Sequence, residues 1–150
     1  MEKFKVKHFI SVLAGVFLFT SQAAIASEEL AGLRYWNEIK KEAVTTESGL
    51  QYKVLIMGNG KKPTLKGKVR VHYRGLLLNG VQFDSSFDQD EPVKLSLKKV
   101  IKGWTEGIQL MPKGSVFVFL IPPELAYGSK GSDPIPPNST LIFEVELFDF

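Results

Sequence analysis

The chain has 150 residues, of which 44% are hydrophobic and 23% charged, and this composition is typical of one folded domain. It contains no cysteine and two histidines, His8 and His72, which excludes a disulfide scaffold, a thiolate zinc site, a cysteine nucleophile and a histidine-clustered metal site. The formal net charge of +3 comes mostly from the first ten residues, so we expect no basic stripe and no nucleic-acid partner.

The first 26 residues have the three-part pattern of a secretory signal peptide. Lys3, Lys5 and Lys7 precede an apolar run over residues 9–19, and the small residues Ala24-Ile25-Ala26 follow. An uncleaved membrane anchor is the alternative, but the run is shorter than the about 20 residues that span a bilayer. We therefore predict an exported protein without a stable anchor, most simply periplasmic, with secretion or surface association as alternatives.

Residues 27–47 are predicted to form a short helix and a linker ahead of the main domain, residues 48–150. Ser27 suits the start of a helix that runs to Ala43, and Val44 to Gly49 read as a polar linker. The apolar residues of the helix form only a ragged stripe, so we expect it to pack loosely on a domain that folds without it. The helix is also too short for a stable dimer, which makes a monomer the expected state.

From Leu50 onward the pattern predicts β-strands joined by turns. Leu50 to Met57 is a β-rich run that stops at Gly58-Asn59-Gly60. Lys68 to Leu78 alternates apolar and polar residues, and Asn79-Gly80 is a typical tight hairpin sequence before the return strand at Val81-Gln82-Phe83.

The second half of the chain adds one helix and further strands. A short alternating run over Val93 to Leu97 precedes residues 98–111, whose apolar side chains recur at helical spacing. Ser115 to Ile121 is apolar on both faces, as expected of a central strand, and Thr140 to Phe148 alternates again. Four or five antiparallel strands and one amphipathic helix place the chain in the α+β class.

Several short motifs follow one another along these elements. They are Val71-His72-Tyr73-Arg74-Gly75, Phe83-Asp84-Ser85-Ser86, Val100-Ile101-Lys102-Gly103-Trp104, Ala126-Tyr127-Gly128, Ile135-Pro136-Pro137-Asn138 and the strand from Leu141 to Leu147. Together and in this order, over roughly residues 48–150, they resemble the FK506-binding-protein (FKBP) family of peptidyl-prolyl cis/trans isomerases. The exported setting resembles the bacterial branch that includes the macrophage infectivity potentiator proteins.

This resemblance implies an antiparallel half-barrel sheet wrapped around the short helix, with an apolar pocket between them. By position in the motifs, Trp104 would form the pocket floor. The walls would consist of Tyr73, Phe83, Val100, Ile101 and Phe143. Asp84 and Tyr127 would be polar groups at the rim, and together with Tyr73 they are the candidate catalytic residues. The loop over residues 129–138 would overhang the pocket.

Each of these residues also has an ordinary structural interpretation. Tyr73 and Phe143 occupy inward strand positions, where aromatic core residues are common, and Trp104 lies at the centre of a helix stripe. Asp84 is typical of a turn residue or cap, and Tyr127 of a loop aromatic with a solvated hydroxyl. The resemblance favours a functional role most strongly for Asp84 and Tyr127.

Two positions depart from the usual pattern of the family. Val93 stands where an aromatic residue is common, and Gln89 stands where a basic residue is frequent. The loss of a cation near Asp84 would leave that carboxylate less well paired. These departures keep open the alternative of a binding module or holdase chaperone with little turnover.

The activity implied by the resemblance is the isomerisation of X-Pro peptide bonds in the folding of exported proteins. Its partners would be proline-containing polypeptide clients, and macrolides such as FK506 or rapamycin would be ligands. Isomerisation breaks no covalent bond, so we expect neither a metal nor any other cofactor.

Overall fold

The computed structural model describes residues 31–89 and 91–150. The predicted signal peptide, residues 1–26, and the first part of the predicted N-terminal helix lie outside the described residues. Within the described ranges, no helix combines the length and the apolar character needed to cross a bilayer.

Two helices, two 3-10 turns and seven strands make up the described part of the chain. In chain order they are α1 (Ala31–Ile39), a 3-10 turn (Lys40–Glu42), β1 (Val44–Thr45), β2 (Gln51–Ile56), β3 (Lys68–Leu77), β4 (Gln82–Ser85), β5 (Val93–Ser96), α2 (Lys102–Ile108), β6 (Val116–Ile121), a 3-10 turn (Pro123–Leu125) and β7 (Leu141–Asp149).

The described strands form one antiparallel sheet in the order β1-β2-β6-β7-β3-β4, and β5 pairs with β3. β7 lies inside the sheet, where it pairs with β3 on one side and with β6 on the other. β5 pairs with the first half of β3 and β4 with the second half. The predicted α+β class is confirmed. The predicted count of four or five strands was too low, because the short runs at Gln82–Ser85 and Val93–Ser96 are both strands and Val44–Thr45, predicted as linker, is a further one.

The main core lies between the inner face of the sheet and α2. The alternation predicted for β3 and β7 is present, since Val71 and Val145 are fully buried and pack with Trp104 and Ile108 of α2. The helix itself is shorter than the predicted span, because residues 98–101 and 109–111 form turns rather than helix. Their apolar side chains nevertheless pack on the same core, which explains why the spacing looks helical throughout.

The N-terminal helix is an integral part of the fold, so the expectation of loose packing is wrong. Trp36 is 2% exposed and packs against Leu76, Val118 and Ile142 on the outer face of the sheet. The backbone N–H of Leu33 donates to the carbonyl of Leu78 at 2.9 Å. The helix therefore covers an apolar patch that the sheet would otherwise expose to water.

A buried ion pair lies beside this patch. Arg74 and Glu144 are opposite each other in the β3–β7 ladder, with an Nη2–Oε2 distance of 3.3 Å, and each side chain is little exposed. The hydroxyl of Tyr35 donates to the same Oε2 at 3.2 Å. Burial and the Glu144 charge raise the pKa of Tyr35. The helix thus supplies a hydrogen bond to a charge that the sheet partly buries.

The predicted linker is also more ordered than its composition suggests. Val44 and Thr45 form β1 and pair with Tyr52 and Gln51 at the start of β2. The backbone N–H of Gly49 donates to the carbonyl of Thr46 at 3.0 Å, which closes a hairpin turn. The segment between the helix and the domain is therefore the first strand of the sheet.

Candidate functional site

The β3–β7 ladder positions two of the predicted aromatic residues on the inner face of the sheet. Tyr73 pairs with Val145, and Gly75 pairs with Phe143 two positions further on. A β-carbon on Gly75 would lie 2.7 Å from Cζ of Phe83 and 2.8 Å from Cε1 of Phe143. Only glycine leaves room there, so this residue allows the two rings to close over the strand.

Four rings meet on this face, and we call Tyr73, Phe83, Trp104 and Phe143 the aromatic cluster. The ring centroids of Trp104 lie 5.0 Å from Tyr73 and 5.2 Å from Phe143, in both cases nearly edge to face. Phe83 meets Phe143 at 5.5 Å with an interplanar angle of 86°. This edge-to-face geometry is favoured between aromatic rings, and it gives a rigid apolar surface.

Trp104 reaches the cluster from the first turn of α2. The helix begins at Lys102, and the backbone N–H of Trp104 donates to the carbonyl of Ile101 at 3.0 Å. Val100 and Ile101 are partly buried and pack against the same core. Trp104 is 4% exposed, and its indole N–H has no acceptor among the described residues.

A carboxylate and a phenol meet at the edge of the aromatic cluster. The hydroxyl of Tyr73 donates to Oδ2 of Asp84 at 2.7 Å, and Asp84 pairs with Gly75 across the β3–β4 ladder. Asp84 is exposed, whereas Tyr73 is partly buried. Burial, and secondarily the hydrogen bond and charge of Asp84, raise the pKa of Tyr73, so its hydroxyl remains a donor at neutral pH.

Tyr127 lies near this pair, just after the 3-10 turn Pro123–Leu125. Its side chain is 39% exposed. Burial raises the pKa of Tyr127, and the negative charge of Asp84 raises it further. Tyr127 in turn makes a small electrostatic contribution that raises the pKa of Tyr73. Three polar groups are thus within electrostatic reach of one another beside an apolar surface.

The structure brings the eight predicted site residues into one region. The rings of Tyr73, Trp104 and Phe143 contact one another, Phe83 contacts Phe143, and Val100 and Ile101 pack on the same core. The Tyr73 hydroxyl donates to Asp84, and the charge of Asp84 contributes to raising the pKa of Tyr127. Asp84 lies within β4 rather than in a turn, so its interpretation as a turn residue or cap is wrong.

Two further residues support this region and were not among the predicted site residues. Ser86 is 1% exposed, and its hydroxyl bonds to the backbone of Tyr73. Ile135 is 7% exposed although it lies in the proline-rich loop, and it packs on the main core. A lone aliphatic residue between prolines is a usable sequence signal for Ile135. Ser86 carries no such signal, because buried and exposed serines look alike in sequence.

Neither departure from the family pattern disrupts the geometry. Val93 begins β5 and pairs with Val71, and it packs against the main core. Gln89 is exposed, and its backbone N–H donates to the carbonyl of Ser86 at 3.1 Å. Within residues 31–89 and 91–150, no group of three His, Asp or Glu side chains is arranged to hold a metal ion.

Comparison with known families shows one clear match. The family model described as FKBP-type peptidyl-prolyl cis-trans isomerase matches residues 59–148. A curated relative from Aeromonas hydrophila, called FKBP-type peptidyl-prolyl cis-trans isomerase FkpA, is 56% identical over 109 residues, which is 72% of this chain and 41% of the relative.

Solved structures agree with the sequence match. The crystal structure of FkpA from Escherichia coli superposes with a TM-score of 0.72 at 43% identity, covering 85% of this chain and 61% of that one. A peptidyl-prolyl cis-trans isomerase from Pseudomonas syringae superposes with a TM-score of 0.68 at 33% identity, covering 89% and 97%. The chain spans 41–49% of the length of several of the curated relatives that it matches.

Proposed function

Because the chain belongs to the FKBP-type peptidyl-prolyl cis-trans isomerase family, we propose that it accelerates the cis/trans isomerisation of X-Pro peptide bonds in polypeptide clients. One observation carries the proposal. The Tyr73–Asp84 hydrogen bond of 2.7 Å lies directly beside the edge-to-face contacts of the aromatic cluster. This places polar groups for an amide next to an apolar surface for a prolyl ring.

The chemistry of the reaction fits such a surface. Rotation about the X-Pro bond costs about 18–20 kcal/mol, because the planar amide loses its resonance. The twisted transition state has a smaller amide dipole than the planar form, so an apolar site favours it. Polar groups that are already in place then bind the rotated carbonyl. A barrier lowered by about 6 kcal/mol gives an acceleration of about 10⁴-fold.

Each site residue has a role in this proposal. The prolyl ring lies on Trp104, and its sides contact Tyr73, Phe83 and Phe143. Val100 and Ile101 complete the apolar wall, and the backbone N–H of Ile101 is a candidate donor to the client. These side chains supply shape and low polarity, which is what discriminates the twisted amide.

The polar groups act on the amide itself. Tyr127 donates a hydrogen bond from its hydroxyl to a carbonyl of the client, and Asp84 favours the twisted amide electrostatically. Tyr73 holds the Asp84 carboxylate through its hydroxyl. No acid–base pair or nucleophile is needed, because no covalent bond breaks.

The second part of the proposal concerns the cell compartment in which the protein acts. The N-terminal sequence, with its lysines, apolar run and Ala24-Ile25-Ala26, favours export, most simply to the periplasm. The clients would then be exported polypeptides that fold after crossing the membrane, where slow X-Pro isomerisation limits folding. Macrolides such as FK506 or rapamycin, which carry a proline-like ring amide, would compete for the aromatic cluster.

A binding module or holdase with little turnover is the second candidate function. Val93 and Gln89 favour it, since both differ from the residues common in the family at the site's border. Such a module would bind proline-containing segments on the same surface without lowering the rotation barrier.

An X-Pro isomer assay on a short peptide separates the two candidates. We expect the chain to shorten the cis-to-trans relaxation and rapamycin to abolish the effect. As a matched control, Tyr35→Phe changes a tyrosine on the outer face of the sheet and should leave the rate unchanged. Binding of the peptide without any change in its relaxation rate would establish the binding module instead.

A further inference from the structure

Among the described residues, two polar side chains are fully buried, and both are serines. Ser86 is 1% exposed and Ser115 is 0% exposed. A buried hydroxyl is retained where it satisfies other polar groups, since an unpaired one costs free energy. Ser115 accepts a hydrogen bond from the backbone N–H of Gly58 at 2.9 Å, and its other hydrogen-bond partners, Pro112 and Leu147, are not residues of the candidate site. Ser86 makes its contacts at the candidate site itself.

Ser86 binds both main-chain groups of Tyr73. Its hydroxyl oxygen accepts a hydrogen bond from the N–H of Tyr73 at 2.8 Å. Its own backbone N–H donates to the carbonyl of Tyr73 at 2.9 Å. Arg74 and Ser85 are the last residue pair of the β3–β4 ladder, and β4 ends at Ser85. Ser86 follows the end of the strand, and its side chain bonds to β3 there. The main chain of Tyr73 is therefore held on the β4 side by Ser86.

The Ser86 hydroxyl is itself held from a third direction. Its oxygen lies 3.0 Å from Nδ1 of His72. The His72 ring stacks on Phe87 at 5.1 Å and meets Phe148 edge-on at 5.6 Å. A hydroxyl with partners on two sides and stacked rings beside it has little freedom to rotate, which makes its bond to Tyr73 directional.

The position of the Tyr73 backbone decides where its phenol points. The ring packs edge-on against Trp104, and the hydroxyl must reach Oδ2 of Asp84 at 2.7 Å. Asp84 lies on the same short strand that Ser86 anchors. A small shift between β3 and β4 would therefore lengthen the Tyr73–Asp84 bond, although neither side chain had been changed.

We propose that Ser86 is a positioning residue for catalysis, which aligns the Tyr73 hydroxyl with the Asp84 carboxylate by fixing the end of β4 against β3. This inference rests on the proposed isomerase function of the same site. Ser86 does not touch the client, so it acts only through Tyr73 and Asp84.

The first test compares the two buried serines. Ser86→Ala should lower kcat/KM by about tenfold to a hundredfold, since a displacement near 1 Å of a reacting group has effects of that size. Ser115→Ala removes an equally buried hydroxyl that also accepts a backbone N–H, and it should lower the urea midpoint without lowering kcat/KM. Equal activity losses in the two variants would overturn the proposal.

The second test asks whether Ser86 acts through the Tyr73 hydroxyl. In a Tyr73→Phe background the hydroxyl is absent, so Ser86→Ala should change kcat/KM by less than about twofold. A full additional loss in that background would overturn the proposal. If Ser86→Ala fails to fold, Ser86→Thr takes its place, because it keeps the hydroxyl. This variant should retain activity even where the added methyl group lowers stability, and its inactivation would count against the proposal.

A spectroscopic readout separates this inference from the proposed function. The NMR resonance of Tyr73 Cζ reports the hydrogen bond of its hydroxyl and needs no turnover. It should shift in Ser86→Ala and stay in place in Ser115→Ala. A wild-type chain without isomerase activity would refute the proposed function. An unchanged Tyr73 resonance in Ser86→Ala would refute the positioning role alone.

Discussion

Asp84 and Tyr127 carry polar atoms at exposed positions, so their contribution to activity can be separated from their contribution to stability. We predict that Asp84→Ala and Tyr127→Phe each lower catalytic efficiency more than stability. One lost hydrogen bond costs about 0.5–1.5 kcal/mol, or up to about 3 with a charged group. At 1.36 kcal/mol per decade this corresponds to a loss of a few-fold to about a hundredfold in rate.

Catalytic efficiency measured beside a urea midpoint decides this prediction. Asp88→Ala is the matched control, since it removes another exposed carboxylate in the chain that follows β4. Full activity together with earlier unfolding in Asp84→Ala and Tyr127→Phe would show that both side chains are structural.

His72 gives the fold a predictable response to acid. Burial lowers the pKa of His72 below its ordinary value of about 6.5. The unfolded chain therefore binds the proton more readily. The stability that comes from keeping His72 neutral is fully present above that ordinary value and is lost as the pH falls below it toward the folded-state pKa. Glu146, which faces His72 across the β3–β7 ladder, responds in the opposite sense because burial raises its pKa.

Urea midpoints of the wild type and His72→Gln between neutral pH and about pH 5.5 isolate the histidine, since both chains retain Glu146. We expect the wild type to lose more stability than His72→Gln over this interval. Parallel curves for the two chains would show that the burial of His72 has no energetic consequence.

The site residues were predictable where a motif fixed both residue type and position. Tyr73, Asp84 and Trp104 are examples, because the resemblance to the FKBP family assigned each of them by its position in a motif. The hydrogen bond between Tyr73 and Asp84 was not predictable, since it depends on the register of β3 against β4. The burial of Ser86 was not predictable for the same reason, because it depends on where β4 ends.

At the scale of elements, α1 contributes to stability by covering the outer face of the sheet. Its residue Trp36 is 2% exposed. We predict that Trp36→Ala lowers the free energy of unfolding by about 3–5 kcal/mol, as expected for a large buried side chain. Removal of the whole helix would also expose Leu76, Val118 and Ile142 and would leave the Arg74–Glu144 pair without the Tyr35 hydroxyl.

Denaturant unfolding of Trp36→Ala beside Asn37→Ala checks this prediction. Asn37 is the next residue of the same helix and is exposed, so its substitution should change stability little. A similar loss of stability in both variants would mean that α1 contributes little beyond its own helical structure.

The packing of α1 was visible in the sequence only indirectly. Residues 115–121 are apolar on both faces, which indicates that the outer face of β6 needs a cover. The ragged stripe of α1 did not identify the helix as that cover, because Trp36 is the one buried apolar side chain of the helix. Strand β1 was not predicted for a different reason, since two residues give no measurable period.

At the scale of the whole molecule, we predict a monomer. The apolar residues of α1 are directed at the protein's own sheet and are not available to a second helix. Light scattering at micromolar concentration checks this, and a stable dimer there would contradict it.

The order of the strands in the sheet also determines at what stage of protein synthesis the candidate site can form. β7 is the last strand of the described chain, yet it lies between β3 and β6. While the polypeptide is being made, β3 and β6 therefore emerge long before the strand that joins them. The pairing of Tyr73 with Val145 closes a long loop, and such distant contacts form slowly. In a nascent chain that ends before Leu141, the apolar strand β6 lacks its partner β7. Such an incomplete sheet exposes apolar surface and an unpaired strand edge, and it is prone to aggregate. The sheet, and with it the candidate site, is therefore complete only after residues 141–149 have been made.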